Sequence, residues 1–305
     1  NTKRIDDIYE DPSIKRRSFI LHYGDIIDSS SVYSIINSIL PDEIYNLAAQ
    51  SHVKVSFKTP EYTGNVDGLG TLRILETINS LKKIKKIKFY QAGTSEMFGG
   101  IQKKSQNENT NFEPQSPYAA AKLYAHWITK IYRNAYGIFA SNGILFNHES
   151  PLRGETFVTK KITKALTRIK LNKQKKLLLG NIYSKRDWGH AEDYVYAMWK
   201  ILNSKYPDDF VIATNKKISI KDFIRLACKE LNLKIYWKGK GINEKAFNDK
   251  GKCIIEIDKR YFRPLEVENL QGNFSKAKRV LKWKPKKNIK VLVKEMIEFE
   301  LKENG

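Results

Sequence analysis

The sequence predicts an α/β fold: a mostly parallel sheet covered by helices on both faces, with a smaller mixed α/β lobe in the C-terminal half. Three observations carry this. Short apolar runs alternate with amphipathic helical segments over the first 150 residues or so, the rhythm of successive β-α-β units. Several of those runs end in small or polar residues rather than ordinary turn residues. After about residue 150 the rhythm loosens without a Pro/Gly linker, so the two lobes are expected to share an interface.

Taken in order, "SFILHYGDI" (18–26) reads as a buried strand ending at Gly24-Asp25. "SSSVYSIINSIL" follows as a helix with Ser-rich capping and apolar residues at helical spacing. "DEIYNLAAQ" is the next strand and "VDGLGTLRILETINSL" a long amphipathic helix. "IKFYQAGTS" is a third strand. "SPYAAAKLYAHWITKIYRNAY" is a helix opened by Ser116 and Pro117, a favoured start. "GIFASNGILFNHES" is a fourth strand. In the second half, "GETFVTKKITKALTRI", "RDWGHAEDYVYAMWKIL", "ISIKDFIRLACKELN" and "IKVLVKEMIEFEL" read as helices, the second with Asp187 or His190 near its start. "FVIAT" and "LKIYW" are expected to form a short strand pair.

With 41% apolar residues in 305, the chain can bury a sizeable core. Its net charge of +22, from 55 Lys+Arg against 33 Asp+Glu, is spread along the whole length in segments such as "SLKKIKKIK" and "LKWKPKKNIK". That distribution reads as a solvated lysine-rich surface, attractive to a polyanionic small molecule. A non-catalytic, basic nucleic-acid-binding protein is the distant alternative; no nucleic-acid partner is expected. Cys228 and Cys253 have no metal-like spacing and form no disulfide framework, so no metal site is expected. No apolar run reaches membrane-spanning length, and the opening "NTKRIDDIYED" is polar, unlike a signal peptide. A cytoplasmic protein with no membrane partner is the expectation.

In open parallel sheets ligands bind beyond the carboxyl ends of the strands. Gly24-Asp25, Ala48 to Ser51, Thr94 to Glu96 and Asn147 to Ser150 would then line one rim. Within "QAGTSEMFGG" (91–100), two hydroxyls and a carboxylate stand in a row at a strand end. Tyr118 and Lys122 form Y-x-x-x-K, which puts both side chains on one helical face. An ammonium close to a phenol favours the phenolate, a proton acceptor near neutral pH.

"TSEMFG", "SPYAAAK", "GILFNHESPLRGETFVTKKI", "RDWGHAEDYVYAMW" and "YFRPLEVENLQGNFSKAKRVLKWKP", in this order over almost the whole chain, together resemble the extended short-chain dehydrogenase/reductase family. Within it they are similar to the GDP-mannose 4,6-dehydratases. The resemblance implies a Rossmann-like doubly wound sheet, with residues 1–150 forming the NADP-binding domain and 151–305 mainly the nucleotide-sugar lobe. It implies a transient oxidation at C4 of GDP-mannose, proton loss from C5, loss of water from C6 and return of the hydride to C6. The product is GDP-4-keto-6-deoxymannose, a precursor in GDP-fucose or related deoxysugar synthesis. Tyr118 would take the C4 hydroxyl proton, with Lys122 holding the nicotinamide ribose and depressing the tyrosine pKa. Thr94 would bond the C4 oxygen. Glu96 would be the base at C5. Related dTDP-glucose dehydratases carry Asp where Ser95 stands, so Glu96 is expected to serve both as base and as acid.

Other positions carry over by the same resemblance. Asp25 and Ile26 would lie against the adenine, and Leu47, Ala48, Ala49, Gln50 and Ser51 along the ribose and pyrophosphate. Tyr62, His148 and Arg153 match cofactor-contacting positions; Asn147, Val158, Lys161, Arg186 and Arg263 match positions contacting the GDP portion. A homo-oligomer, dimer or tetramer, is implied as well. The alternatives are another nucleotide-sugar dehydratase or epimerase of the family, or an inactive truncated relative. No G-x-x-G-x-x-G precedes the first strand, and "NTKR" resembles the end of the loop after the family's second strand. The first βαβ portion, with its Gly-rich cofactor turn, is therefore expected to lie in a longer gene product, and "SFILHYGDI" to lack its bridging strand.

Overall fold

The computed structural model describes residues 4–9, 18–100, 104–262 and 265–305. Helix α1 (Ser29–Ile39) is capped by Asp28, whose Oδ1 accepts from the Ser30 amide at 2.9 Å, so the cap is the aspartate rather than the serines. Strand β1 (Glu43–Asn46) follows. Two single-turn helices, α2 (Val53–Ser56) and α3 (Pro60–Thr63), then run into a π-helical turn over Gly64–Leu69 and helix α4 (Gly70–Leu81). Strand β2 (Lys88–Ala92), helix α5 (Pro117–Tyr136) and strand β3 (Ala140–Leu145) complete the alternation. In α5, Ser116 Oγ accepts from the Ala119 amide and Pro117 opens the first turn.

The second half builds β4 (Asn147–Glu149), α6 (Val158–Lys170), β5 (Leu177–Leu179), β6 (Lys185–Arg186), β7 (Trp188–His190) and α7 (Ala191–Leu202). Then come β8 (Asp209–Ile212), β9 (Ile218–Ser219), α8 (Ile220–Glu230), β10 (Ile235–Lys238), β11 (Lys245–Asn248) and β12 (Cys253–Ile257). Helices α9 (Ser275–Leu281) and α10 (Ile289–Asn304) close the chain. His190 is the residue that caps α7.

The main sheet runs β1-β2-β3-β8, all parallel. Successive residues of β2 feed opposite faces, as strand geometry demands. Phe89 packs with Ile74, Leu75, Ile78 and Tyr132 of α4 and α5. Tyr90 packs with Tyr194, Met198, Phe210 and Trp283 on the other side. The fold is thus an α/β doubly wound, Rossmann-like parallel sheet. A second, mixed sheet, β10-β11-β12-β5, lies against α6, α8 and α10 around Ile162, Leu166, Phe223, Ile255 and Met296.

Two expectations need correction. Residues 18–26 form no strand: Ile20, Leu21 and Tyr23 are exposed, and no described strand stands beside β1 on that side to pair with them. "FVIAT" and "LKIYW" do not pair with each other. Phe210–Ile212 lie in β8, in the main sheet, whereas β10 pairs with β11. Apolar runs announce strands but do not name their neighbours.

At the edge of the main sheet, Arg133 grips Asp209 with two parallel bonds of 2.9 and 3.0 Å, and Asn142 adds a third at 2.8 Å. Burial alone would push Asp209 up; the Arg133 bonds and charge more than offset it and hold the carboxyl below its usual range. Arg133→Met would leave that carboxylate buried without the guanidinium's charge, only the Asn142 bond remaining, and should cost about 3–5 kcal/mol in denaturant unfolding. A loss below about 1 kcal/mol would show that the pair does not anchor β8 to α5.

Candidate active site

The turn after β2 is built to aim polar groups one way and apolar groups the other. Thr94 caps it, its Oγ1 accepting from the Glu96 amide at 3.2 Å. Met97 and Phe98 plunge into a core with Ile144, Phe146 and Leu270, where Phe98 stacks on Phe112 at 5.0 Å. Thr94, Ser95 and Glu96 are left on the wall of a cleft. Gly99 ends the turn at φ +71°, and a Cβ there would sit 1.9 Å from the Glu113 carbonyl oxygen, so no other residue closes it without displacing that segment.

The cleft has a volume of about 960 Å³ and lies beyond the carboxyl ends of β1, β2 and β3. It brings together Leu47, Ala49, Ser51, Thr94, Ser95, Glu96, Tyr118, Lys122, Asn147, His148, Arg153, Val158, Lys161 and Arg186. Ala48 and Gln50 alternate with cleft residues on an extended segment and are not among its lining residues. Asp25, Ile26 and Tyr62 also lie off the cleft. The Asp25 carboxylate accepts from the Ile27 amide and Ile26 packs over Gly70, because residues 18–26 do not enter the sheet and their end does not reach its rim. Tyr62 is 54% exposed. Arg263 lies outside the described residues.

Tyr118 is hydrogen-bonded to the Thr94 hydroxyl, and burial pushes its phenol well above the usual tyrosine range. The charges of Asp67 and Glu96 push the same way, while the Thr94 bond and Arg153 oppose them. Lys122 donates to the Ala92 carbonyl at 3.2 Å and is not among the groups that act most on Tyr118. Burial pushes His148 down to about 4, with Nδ1 at 2.9 Å from the Phe146 carbonyl, so its ring is neutral and stacked on Tyr194.

The loop after β4 is pinned from behind. Lys160 donates to the Pro151 carbonyl at 2.8 Å and pairs with buried Glu300 at 2.5 Å. Glu149 accepts from the Thr159 hydroxyl at 2.7 Å and lies 3.1 Å from Arg153 Nε, while the guanidinium stacks 3.6 Å over Phe157. At the outer end, Lys161 sits 3.5 Å over the Tyr261 ring, with Lys54 nearby. Lys54, Phe157 and Tyr261 line the cleft and were not singled out from sequence, whereas Glu149, which also lines it, falls within the expected Asn147–Ser150 rim. Lys54 and Tyr261 carried no local signal.

Among the described residues no cluster of His, Cys, Asp and Glu could hold a metal ion. None of the described helices is long and apolar enough to cross a membrane. The small side chains of Ala49 and Ser51 and the Lys122 ammonium fit a nicotinamide dinucleotide laid across the strand ends.

The family model for GDP-mannose 4,6 dehydratase matches residues 1–296. The chain is 52% identical over 302 residues to a GDP-mannose 4,6-dehydratase from Sinorhizobium fredii (strain HH103), covering 99% of this chain and 86% of that protein. Among solved structures, RMD from Pseudomonas aeruginosa complexed with NADPH superposes with a TM-score of 0.79 at 20% identity, covering 93% of this chain and 89% of that one. A dTDP-glucose 4,6-dehydratase from Bacillus anthracis in complex with NAD superposes with a TM-score of 0.78 at 21% identity, covering 100% and 85%. The two structures share the fold; the sequence match goes further and covers the turn, the Tyr118 helix and the loop after β4 alike. This chain belongs to the GDP-mannose 4,6 dehydratase family.

Proposed function

We propose that the protein is a GDP-mannose 4,6-dehydratase, a hydro-lyase that converts GDP-mannose to GDP-4-keto-6-deoxymannose. The observation that carries the reading is the convergence of Thr94, Ser95 and Glu96 with Tyr118 and Lys122 on one cleft, Glu96 close enough for its charge to act on the phenol. A bound nicotinamide dinucleotide would take the hydride from C4 and give it back at C6, so that the 4-keto group is kept and no net oxidation occurs. NADP is the proposed form, by the resemblance and with the NADPH complex of the structural neighbour in support. Lys122, Leu47, Ala49, Ser51, His148 and Arg153 would hold it.

Tyr118 takes the C4 hydroxyl proton, steered by its bond to Thr94. Oxidation at C4 acidifies the C5 hydrogen; Glu96 removes it and passes that proton to the C6 hydroxyl as water leaves, and hydride addition at C6 is then balanced by a proton returning to C5. Ser95, 2% exposed beside Glu96, offers a hydroxyl but no second carboxylate, which leaves both proton transfers to Glu96. Asn147, Val158, Lys161 and Arg186, with Arg263, are proposed to hold the GDP portion, arginine suiting a pyrophosphate by its planar fork. Residues up to about 150 would serve mainly the cofactor and 151–305 mainly the nucleotide sugar.

The test is to offer the protein GDP-mannose, dTDP-glucose and UDP-glucose with NADP or NAD and to identify products by mass spectrometry. Dehydration of GDP-mannose alone is expected; turnover of only the other two sugars would reverse the assignment. The product would feed GDP-fucose or related deoxysugar synthesis. Free Cys228 and Cys253 suit a reducing, cytoplasmic compartment. A homo-oligomer is proposed as well. The exposed Tyr124, Trp127 and Ile131 recur at helical spacing along α5 as one apolar stripe. Light scattering should return a multiple of the 35.4 kDa chain mass; a monomer mass would refute it.

A further inference from the structure

Asp67 is a buried carboxylate that the proposed reaction does not use. It lies in the π-helical turn before α4, 1% exposed. Its Oδ1 accepts from the Gln50 amide at 2.7 Å. Its Oδ2 is buried with no hydrogen-bond partner among the described residues. The turn packs on α5, where a Cβ on Gly68 would lie 3.6 Å from the Ala121 carbonyl oxygen and 3.2 Å from the Tyr124 ring; the residue after Ala121 is Lys122, 3% exposed, its ammonium 3.2 Å from the Ala92 carbonyl. Two opposite charges are therefore buried in the same wall, each only partly satisfied by hydrogen bonds, and an isolated charge in such a place is costly. An amide would have served the Gln50 N–H equally well. What only a carboxylate supplies here is negative charge facing Lys122.

We propose that Asp67 is a positioning residue whose carboxylate keeps the Lys122 ammonium charged at the back of the cleft while its Oδ1 fixes the Gln50 amide, and with it the Leu47–Ser51 rim. The inference deepens the dehydratase reading and rests on it for the meaning of the cleft. Burial raises Asp67 to about 6, against the pull of the Lys122 charge and the Gln50 bond. Burial lowers Lys122, and Asp67 is the charge that raises it again. The neighbouring phenol of Tyr118 feels Asp67, Glu96 from the turn after β2 and Arg153 from the loop after β4. As pH falls through the Asp67 value, the carboxylate takes a proton, and Lys122 loses the counter-charge that helped it hold its own.

Asp67→Asn keeps an oxygen for the Gln50 amide and removes only the charge. In substrate-free protein labelled with carbon-13 on lysine side chains, the Lys122 ε-carbon should titrate at least about one pH unit lower in this variant than in the wild type. In turnover, kcat should fall about tenfold with the KM for GDP-mannose within about twofold, and the alkaline limb of the pH profile should move to lower pH. An unmoved Lys122 midpoint would overturn the proposal. Because that titration uses free protein, it gives its answer whether or not GDP-mannose is turned over. If the variant does not fold, the wild type decides: its Lys122 ε-carbon should show a second inflection near pH 6, where Asp67 protonates. A flat trace through that range would overturn the proposal equally.

Discussion

Glu96→Gln should leave oxidation at C4 possible and stop the loss of water. Glutamine preserves the size of the side chain and can still fill its place on the cleft wall, where Glu96 is 7% exposed. It cannot accept the C5 proton. With Ser95 rather than a second acid beside it, no other carboxylate of the turn can substitute. Formation of the keto-deoxysugar should therefore drop by about a thousandfold, within the range lost with a general base. Absorbance of reduced cofactor should still appear on mixing with GDP-mannose. Product formation at the wild-type rate would remove Glu96 from the mechanism, and Asp67 and Glu149, the other buried carboxylates near the cleft, would need re-examination.

Tyr118→Phe should abolish the first oxidation itself. The ring stays, with its packing at the start of α5, but the bond to Thr94 and the group that takes the C4 proton are gone. A loss of about 10²–10⁴ in kcat is expected, with neither reduced cofactor nor product accumulating. The two variants thus fail at different stages, and the reduced-cofactor signal separates them. In the free protein burial, with the negative charges of Asp67 and Glu96, raises the Tyr118 phenol above the usual tyrosine range. Undiminished oxidation by Tyr118→Phe would count against that role.

Much of the site was legible because its signals are local. Ser116-Pro117 marks the start of α5, and the four-residue spacing of Tyr118 and Lys122 fixes their common face. Thr94, Ser95 and Glu96 read as polar groups set in a row at a strand end, and the structure places all three on the cleft wall. What was not legible depends on partners far along the chain. Residues 18–26 are apolar enough for a strand, but a strand needs a neighbour, and none of the described strands flanks β1 there. Phe210–Ile212 could have paired with "LKIYW"; the main sheet took them because β3 offers a parallel edge beside the Arg133–Asp209 clasp. Lys54 and Tyr261 meet at the outer end of the cleft from opposite ends of the sequence. Asp67 was legible and was passed over. With Thr71, Ile74 and Ile78 it falls on one helical stripe, and a carboxylate on the buried face of an amphipathic helix is a signal in itself.

One isotope experiment reaches the proposed chemistry most directly. The protein is incubated in ordinary water with NADP and GDP-mannose carrying deuterium at C4, and the product is read by NMR. Deuterium recovered at C6 of a 4-keto-6-deoxy sugar is the expected result. Label lost to the solvent, or a sugar that keeps its C6 hydroxyl, would contradict it.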